Sequence, residues 1–416
     1  MFFLYQIIVS ALLLISPVII IYRVLKNKED SKRFIEKFSI SSEKRGKGKL
    51  IWFHGASVGE IMSIIPLIKY YEKNESINQI LITSSTLSSS KIIKKFKFKK
   101  TIHQFYPVDH FLLTNNFLNH WRPSLAIFIE SEIWPYMFKN LKDKKIPLIL
   151  LNARITKKTF NRWLKINFFS KLIFGMISVA YPQNLETKYF LKKIKTKKIN
   201  PIGNLKFAEN PEENFEIKNK KLKSELNKNK IWVASSTHKN EEIFCANAHK
   251  KLKNKYKNLI TIIIPRHVHR AKEIALEMKK INLNVAYHSS KIKTLKNIDI
   301  YIVDTFGETK LFHEISSTVF LGGSIIKRGG QNPLEAARLG SKILHGPNTD
   351  NFTDVYKHLK LLNISKKINT PSQLASSIVF KKNKNSGKKI KKIGQKILNK
   401  TINELDNLIN NEYKKT

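Results

Sequence analysis

The sequence of 416 residues has a single cysteine, Cys245. One cysteine excludes a scaffold stapled by disulfides and a zinc site built from several cysteines, and it is typical of a reducing compartment. Acidic residues are also few, since 31 Asp and Glu stand against 76 Lys and Arg and leave a formal net charge of +45. The apolar fraction of 42% excludes a wholly disordered chain. At about 150 residues per domain, the length predicts two or three folded domains.

The positive charge alone does not identify a partner. A nucleic acid, an anionic membrane surface and a phosphorylated substrate would all be attracted to it. The lysines are spread along the chain and arginine is scarce, although arginine is the residue that reads base edges most often. Lys, Asn and Ile are all abundant, as A/T-biased coding would also produce. We therefore predict no binding to nucleic acid, and the other two partners stay open at this point.

Residues 2–22 are almost wholly apolar, and a basic segment that begins with Arg23 and Lys26 follows them. About 20 apolar residues are enough to span a bilayer, although Pro17 also permits a shallower insertion into one leaflet. No Lys or Arg precedes the apolar run, which is the reverse of a secretory signal peptide, so we predict an uncleaved membrane anchor over 1–25. The positive-inside rule then places the rest of the chain in the cytoplasm. A buried core helix is the alternative.

Beyond the anchor, short apolar runs alternate with amphipathic stretches, which indicates an α/β fold with parallel sheets. A charged, Asn-rich stretch over 209–229 interrupts the alternation and is predicted to be a linker. The predicted strands before it are Leu50–Phe53, Ile80–Thr83, Leu125–Ile129, Pro147–Leu151 and Ser178–Tyr181. The predicted strands after it are Ile231–Ala234, Leu259–Ile264, Ile298–Val303, Thr318–Gly322 and Lys342–His345. This pattern predicts α/β domains over 26–208 and 230–386, followed by a helical tail over 387–416.

Ligands of parallel sheets bind where the strands end, so polar residues directly after the predicted strands are candidate site residues. Ser57 and Glu60 follow the first strand with the spacing of a capping box. Glu60 in that first turn could equally act as a general base for a substrate hydroxyl. Glu130 and Glu132 follow another strand, where capping of a helix again competes with a role in the site. Arg154, after the next strand, could pair with one of these carboxylates.

Basic residues follow other strands. Lys206 closes the first half and is either a solvated side chain or a cation that neutralises an anion. In the second half, Arg266 and Arg270 follow a strand and indicate an anion or phosphate site. The His-Val-His spacing at 267–269 has no further ligand cluster to support it, so we predict no metal site.

The segment Gly322–Glu335 contains four glycines ahead of a well-marked helix start. Asn332 is predicted to be the N-cap, Pro333 the first helical residue, and Glu335 part of the first turn. The glycines would let backbone N–H groups approach a ligand, and a helix N-terminus attracts phosphate. The glycine spacing matches neither the dinucleotide motif nor the P-loop, so no NAD or Walker-type ATP site is indicated. A turn and a cap without any ligand is the alternative.

Taken together, seven motifs resemble the 3-deoxy-D-manno-octulosonic acid (Kdo) transferases of lipopolysaccharide synthesis. They are HGASVGE (54–60), ESEIWP (130–135), NARI (152–155), GNLKF (203–207), PRHVHR (265–270), GE (307–308) and GGSIIKRGGQNPLEAA (322–337). The resemblance runs in order over nearly the whole chain and includes the anchor. It implies a GT-B glycosyltransferase, in which two Rossmann-like domains face a cleft. The implied reaction is a metal-independent, inverting transfer of Kdo from CMP-Kdo to a lipid A precursor (lipid IVA) at the cytoplasmic face of the inner membrane.

The resemblance also implies roles for individual residues. Glu60 would be the general base, and Glu130 and Lys206 would stabilise the transition state. The residues implied in binding CMP are Pro265, Arg266, Phe306, Gly307, Glu308, Asn332, Pro333, Leu334 and Glu335. No cofactor is implied besides the donor substrate. Three residues depart from the family pattern and receive no role, namely His269, Gln331 and Asn348.

Two other functions stay open on the sequence. A related GT-B enzyme with another nucleotide sugar would share the fold, and a screen of donors would distinguish it. A basic protein that binds a membrane surface or RNA through a vestigial cleft would bind polyanions in a salt-sensitive way and would not depend on Glu60. The number of Kdo residues transferred, the acyl pattern of the acceptor and the oligomeric state are not predicted by the sequence.

Overall fold

After a long first helix, strands and helices alternate along the chain. The computed structural model describes residues 1–209, 220–290 and 294–413. The chain divides into two units, one of Met1–Asn210 with Gly394–Thr416 and the other of Pro211–Ile393. The first helix, α1 (Phe2–Leu25), belongs to the first unit. Each unit is built around one parallel sheet.

The sheet of the first unit has six parallel strands. They are β1 (Leu50–His54), β2 (Gln79–Ser84), β3 (Thr101–Phe105), β4 (Leu125–Ile129), β5 (Leu148–Ala153) and β6 (Val179–Pro182). Their order across the sheet is β3-β2-β1-β4-β5-β6, and each neighbouring pair is parallel. This is the Rossmann order, in which the direction of winding reverses between β1 and β4. A crevice opens at the carboxyl ends of those two strands, so the residues that follow them are placed to form a site.

Helices connect these strands and cover the sheet. They are α2 (Val58–Lys73), α3 (Leu87–Lys95), α4 (Phe111–Trp121), α5 (Pro135–Asp143), α6 (Lys157–Lys165), α7 (Asn167–Phe174) and α8 (Leu185–Lys193). Every residue of β1, β4, β5 and β6 is buried, because apolar side chains pack on both faces of the sheet. Trp52 lies in the core on one face and Phe53 in the core on the other. Buried parallel strands of this kind consist of continuous apolar runs, which is why the sequence predicts them.

The sheet of the second unit has seven parallel strands. They are β7 (Lys230–Thr237), β8 (Leu259–Pro265), β9 (Val285–Tyr287), β10 (Ile300–Ile302), β11 (Thr318–Leu321), β12 (Lys342–His345) and β13 (Ser365–Lys367). Their order is β13-β12-β11-β7-β8-β10-β9, so the winding reverses beside β7. The helices are α9 (Lys220–Asn227), α10 (Glu241–Lys253), α11 (Ala271–Lys280), α12 (Thr309–Ile315), α13 (Leu334–Arg338), α14 (Thr353–Leu361) and α15 (Pro371–Ser377).

The last helix, α16 (Lys384–Tyr413), starts in the second unit and belongs to the first from Gly394 onward. Leu405 on this helix is fully buried in the core of the first unit. Asp406 accepts hydrogen bonds from the hydroxyls of Tyr70 and Tyr71 at 2.8 and 3.0 Å. The predicted helical tail is therefore part of the packed core of the first unit.

The predicted α/β class is confirmed, and each strand that the sequence predicts is present with ends shifted by a few residues at most. Three strands are missing from the prediction, β3, β9 and β13, and each lies at an edge of its sheet. An edge strand has a neighbour on one side only and needs no continuous apolar run. In β13, for example, Lys366 and Lys367 are exposed. The predicted linker ends in α9, while its residues 210–219 lie outside the described part of the chain.

Candidate functional site

In the first unit, the turn after β1 places Glu60 at the start of α2. Ser57 is the N-cap of this helix, and its hydroxyl oxygen accepts the N–H of Glu60 at 3.3 Å. The Glu60 carboxylate in turn accepts the N–H of Ala56 at 2.7 Å and the hydroxyl of Ser57 at 2.9 Å. The Ser57 half of the predicted capping box is therefore formed. The Glu60 carboxylate accepts the N–H of Ala56, one residue before the N-cap, and these contacts fix its position.

The same position makes Glu60 unusually basic. Burial, followed by the negative charges of Glu132 and Glu130, raises the pKa of Glu60 to about 7. A general base works best when its pKa lies near the working pH, because it is then unprotonated and still binds a proton well. Capping and proton abstraction are thus compatible roles for Glu60.

Glu130 follows β4 directly and lies beside Lys206. Glu130 is buried and has a φ of +56°, a left-handed conformation that is uncommon for a residue with a side chain. Its Oε1 lies 2.5 Å from Nζ of Lys206, and the two side chains form an ion pair. Lys206 belongs to a short 3-10 turn that is tied to the end of β5, since the N–H of Leu205 donates to Oδ1 of Asn152 at 3.1 Å. The structure thus brings together Glu60, Glu130 and Lys206, the three predicted catalytic residues.

Two neighbours of these residues add contacts that the sequence analysis did not name. Arg154 donates its backbone N–H to the carbonyl of Glu130 at 3.2 Å, and Lys206 is a cation that meets the Glu130 carboxylate. Glu132 accepts a hydrogen bond from Nε2 of the buried His54 at 3.2 Å. Sequence reasoning did not single out His54, because a histidine that ends an apolar strand looks like part of the core.

In the second unit, the strands beside the reversal point also converge at their carboxyl ends. The N–H of Arg266, which follows β8, donates to the carbonyl of Thr237 in β7 at 2.9 Å. The N–H of Gly322, which follows β11, donates to the carbonyl of Ser235 at 2.9 Å. A Cβ atom at Gly322 would collide with the backbone of residue 236, so this close approach requires glycine.

Glu241 organises the glycine-rich loop, and sequence reasoning missed it. This fully buried carboxylate accepts four backbone N–H groups, from His238 at 3.0 Å, Gly323 at 2.6 Å, Ser324 at 3.0 Å and Ile325 at 2.9 Å. Hydrogen bonds to a charged acceptor are stronger than those between neutral groups. The signal in the sequence was an acidic residue in the first turn of the helix that follows β7.

Glu335 is held by a buried histidine. Nδ1 of His313 lies 3.0 Å from Oε1 of Glu335, and Nε2 of His313 lies 3.0 Å from the hydroxyl of Ser235. Burial alone would raise the pKa of Glu335, but the His313 hydrogen bond and nearby cations outweigh it and hold the pKa below its usual value. Glu335 is therefore an oriented, ionised acceptor at the carboxyl edge of this sheet.

The helix that contains Glu335 starts later than predicted. It begins at Leu334, and Pro333 is its N-cap. The side chain of Asn332 accepts the N–H of Leu334 at 3.0 Å, which forms an Asx turn ahead of the helix. The prediction that Asn332 is the N-cap is therefore wrong by one residue. The helix has only five residues, so its dipole contributes less to anion binding than the sequence analysis expects.

The predicted pair of anion-binding arginines is reduced to one. The guanidinium of Arg270 forms ion pairs with Glu242 at 2.8 Å and Glu273 at 3.3 Å, so it is committed to these carboxylates. Arg266 directly follows Pro265 and is exposed at the carboxyl edge of the sheet. Arg266 thus remains as the candidate for binding an anion.

The segment Phe306–Glu308 follows β10, beyond β8 in the sheet. Phe306 is 84% exposed, and Gly307 has a φ of +88° that favours glycine. Glu308 accepts a hydrogen bond from the hydroxyl of Thr305 and lies 3.2 Å from Nε2 of His288. The described contacts of Glu308 therefore join this loop to the turn that follows β9.

Two of the three residues that depart from the family pattern, Asn348 and Gln331, have contacts with neighbouring segments. The amide of Asn348 donates to the carbonyls of Ser324 and Ile325 at 3.2 and 3.0 Å, and the carbonyl of Gln331 accepts the hydroxyl of Tyr356 at 2.9 Å. Both contacts support the glycine-rich loop. Within the described residues, no three His, Cys, Asp or Glu side chains form a group that could hold a metal ion.

Known proteins resemble the chain over most of its length. A family model described as 3-deoxy-D-manno-octulosonic-acid transferase (kdotransferase) matches residues 32–209. The 3-deoxy-D-manno-octulosonic acid transferase of Rickettsia bellii is 34% identical over 393 residues, which cover 93% of this chain and 92% of the relative. The chain belongs to the Kdo transferase family. The enzyme of the same name from Haemophilus influenzae is 30% identical over 312 residues, which cover 74% of this chain and 73% of the relative.

Membership of the Kdo transferase family confirms the resemblance that the motifs indicate, and it makes the chain a glycosyltransferase enzyme. The matched region 32–209 contains Glu60, Glu130 and Lys206. A solved glycosyltransferase structure from Rickettsia africae superposes with a TM-score of 0.55 and covers 88% of this chain and 99% of its own, at 12% identity. This likeness concerns the fold alone and agrees with the predicted GT-B class.

Proposed function

We propose that this Kdo transferase moves Kdo from CMP-Kdo to a lipid A precursor, with inversion at the anomeric carbon and without a metal ion. The observation that carries the proposal is Glu60, a fixed carboxylate with a pKa of about 7 at the carboxyl edge of the first sheet. A sugar hydroxyl is a poor nucleophile and needs a base as it attacks. The acceptor oxygen bonds to the anomeric carbon of Kdo, its proton passes to Glu60, and CMP leaves with the electrons of the broken C–O bond. One displacement without an enzyme nucleophile inverts the anomeric carbon.

The ion pair beside Glu60 supports the same reaction. As CMP departs, positive charge develops on the anomeric carbon, and the carboxylate of Glu130 can stabilise it. Lys206, 2.5 Å from Glu130, can meet the carboxylate that Kdo itself carries. Both charges are held before the substrate binds, so little reorganisation is needed during the reaction.

The second unit has groups suited to the donor. The exposed guanidinium of Arg266 can bind the phosphate of CMP-Kdo and the charge that develops on the leaving CMP. The oriented carboxylate of Glu335 can accept hydrogen bonds from ribose hydroxyls. The glycine-rich loop held by Glu241 lets backbone approach the nucleotide closely.

Kdo transfer to a tetra-acylated lipid A precursor, measured by mass spectrometry in detergent with EDTA present, tests this proposal. We expect transfer from CMP-Kdo at the same rate with and without EDTA. We expect no product from other nucleotide sugars offered in parallel. Transfer only from another donor would contradict the proposed substrate, and a rate that EDTA abolishes would contradict the proposed mechanism.

We further propose that α1 lies along the cytoplasmic face of the inner membrane instead of crossing it. This helix has 24 residues. Its most apolar stretch of 18 residues has a mean hydropathy of 2.5, and 11% of that stretch is buried inside the protein. Its start is held by the first unit, since Tyr5 donates to Asp109 at 2.7 Å and the Phe2 carbonyl accepts the hydroxyl of Tyr136 at 2.9 Å. A helix of this length is ~36 Å long, enough to cross a bilayer core.

The other end of α1 is held by the same unit. Arg23 pairs with Glu29 at 3.1 Å, Glu29 pairs with Lys37 at 2.5 Å, and the carbonyl of Lys37 accepts the N–H of Val108 at 2.9 Å. A crossing helix would place its two ends ~30 Å apart on opposite sides of the membrane. Contacts of both ends with one folded unit therefore favour a helix that lies in the membrane surface with its apolar side chains in the lipid.

Labelling of single cysteines in intact cells tests this arrangement. A cysteine inserted directly after Met1 and Lys28→Cys, each in a Cys245→Ser background, would be treated with a maleimide that does not cross the inner membrane. We expect both positions to react only after the inner membrane is permeabilised, because both ends lie on the cytoplasmic side. Reaction of the inserted cysteine in intact cells, with Lys28→Cys still protected, would show instead that α1 crosses the membrane.

A further inference from the structure

We propose that Glu132 is a positioning residue of the reaction, whose fixed negative charge strengthens Glu60 as a base. This inference rests on the proposed role of Glu60. Glu132 follows β4 and reaches back to His54, the last residue of the neighbouring strand β1. The Glu60 carboxylate folds onto the N–H of Ala56, two residues after His54. The carboxylates of Glu132 and Glu60 are therefore attached to the same short turn.

A buried chain of hydrogen bonds determines which nitrogen of His54 carries the proton. The indole N–H of Trp52 can only donate, and it donates to the hydroxyl oxygen of Thr83 at 2.9 Å. The hydroxyl proton of Thr83 is then directed to Nδ1 of His54, 2.9 Å away. On the other side of the ring, Nε2 faces the Glu132 carboxylate, which when ionised can only accept. In the neutral ring Nε2 therefore carries the proton, and Nδ1 is the acceptor.

This arrangement makes His54 a neutral donor to an ionised Glu132. Nε2–H of His54 donates to Oε2 of Glu132 at 3.2 Å, and the indole N–H of Trp134 donates to the same oxygen at 3.0 Å. Burial lowers the pKa of His54, although Glu132 acts in the opposite direction, so the ring stays neutral. The ring of Tyr106 stacks on His54 with centroids 3.9 Å apart and limits its rotation.

The charges around Glu60 are compensated unequally. Glu130 is paired with the cation of Lys206, which offsets part of its charge, and Glu130 raises the pKa of Glu60 less than Glu132 does. The described partners of Glu132 are His54 and Trp134, which are neutral donors and leave its full negative charge in place. Ser57, the N-cap of α2, is the polar side chain that contacts Glu60 directly and donates to it. Glu132 is therefore the main neighbour that resists loss of the Glu60 proton.

The pH dependence of kcat/KM for Kdo transfer tests this role. In the wild type, activity should fall as the pH drops through the pKa of Glu60, about 7, because the protonated base cannot accept a proton. Glu132→Gln keeps an acceptor for His54 and Trp134 but removes the charge. We call the fall of activity on the acid side of the pH profile the acid limb. In Glu132→Gln we expect the midpoint of the acid limb to move to lower pH by more than about 0.5 unit. Above pH 8 we expect a several-fold lower rate, since Glu60 becomes a weaker base.

Two further variants separate charge from structure. Glu132→Asp keeps the charge and should leave the midpoint of the acid limb in place, even where the shorter side chain lowers kcat. Asp143→Asn removes one exposed negative charge of the same unit and should change neither midpoint nor rate. A uniform loss of rate in Glu132→Gln with an unmoved limb would overturn the inference.

Failure of the proposed function gives a different result. If Glu60→Gln retained full transfer, Glu60 would not be the base, and the inference about Glu132 would fall with it. If Glu60→Gln abolished transfer while Glu132→Gln left the limb unmoved, the proposed function would stand and the inference alone would fail.

Discussion

Glu60→Gln is expected to lower the rate of Kdo transfer by ~10²–10⁴-fold, the range that general-base catalysis contributes. The free energy of unfolding should change by less than about 1 kcal/mol, because glutamine is also accepted at this position of a capping box. Its amide oxygen can still accept the N–H of Ala56, and its NH₂ group can donate to the hydroxyl of Ser57. The variant thus removes the proton acceptor and keeps the cap. Steady-state transfer and urea unfolding, measured on the same preparation, check both expectations.

Ser57→Ala is the matched control because it removes the cap and keeps the base. We expect the free energy of unfolding to fall by about 1 kcal/mol, the usual contribution of a serine N-cap. Transfer should stay within several-fold of wild type above pH 8. The hydroxyl of Ser57 lowers the pKa of Glu60, so its loss should move the acid limb to slightly higher pH. A loss of transfer in Ser57→Ala as large as in Glu60→Gln would show that transfer depends on the capped turn itself, and the loss in Glu60→Gln could then not be assigned to the base alone.

Glu241→Ala is expected to destabilise the second unit by about 3–5 kcal/mol and to abolish binding of CMP. In the wild type, the Glu241 carboxylate accepts four backbone N–H groups at 2.6–3.0 Å. The substitution leaves these four groups without a protein acceptor. An unsatisfied buried donor costs about 1–3 kcal/mol, and entry of water would recover part of the total. The loop of Gly323–Ile325 would then lose the conformation in which it can approach a nucleotide.

Calorimetric titration with CMP and hydrogen exchange at residues 323–325 measure the two parts of this prediction. Glu273→Gln is the control, since its carboxylate is 44% exposed and an ion pair of this kind contributes little to stability. We expect wild-type binding of CMP and an unfolding free energy within about 0.5 kcal/mol of wild type for this control. Fast exchange at the loop in Glu241→Ala with unchanged CMP binding would show that the loop does not take part in the donor site.

The candidate residues are predictable where they follow a buried parallel strand. Glu60, Glu130 and Arg266 each come directly after a strand or within the first turn of the next helix. Such positions lie at the carboxyl edge of the sheet whichever strands are neighbours, so local sequence is enough to find them. The partners of these residues are not predictable in the same way. Lys206 meets Glu130, a pairing that the sequence analysis did not name.

The sequence by itself determined the α/β class, the central strands, the capping box of α2 and the family, because each depends on residues close together in the chain. Only the tertiary structure decided the pairing of His54 with Glu132, 78 residues apart, and of Glu241 with the glycine-rich loop, more than 80 residues away. These contacts exist because β1 lies beside β4 and β7 beside β11. Strand order follows from how the whole set of apolar faces packs, and local periodicity carries no information about which strands become neighbours.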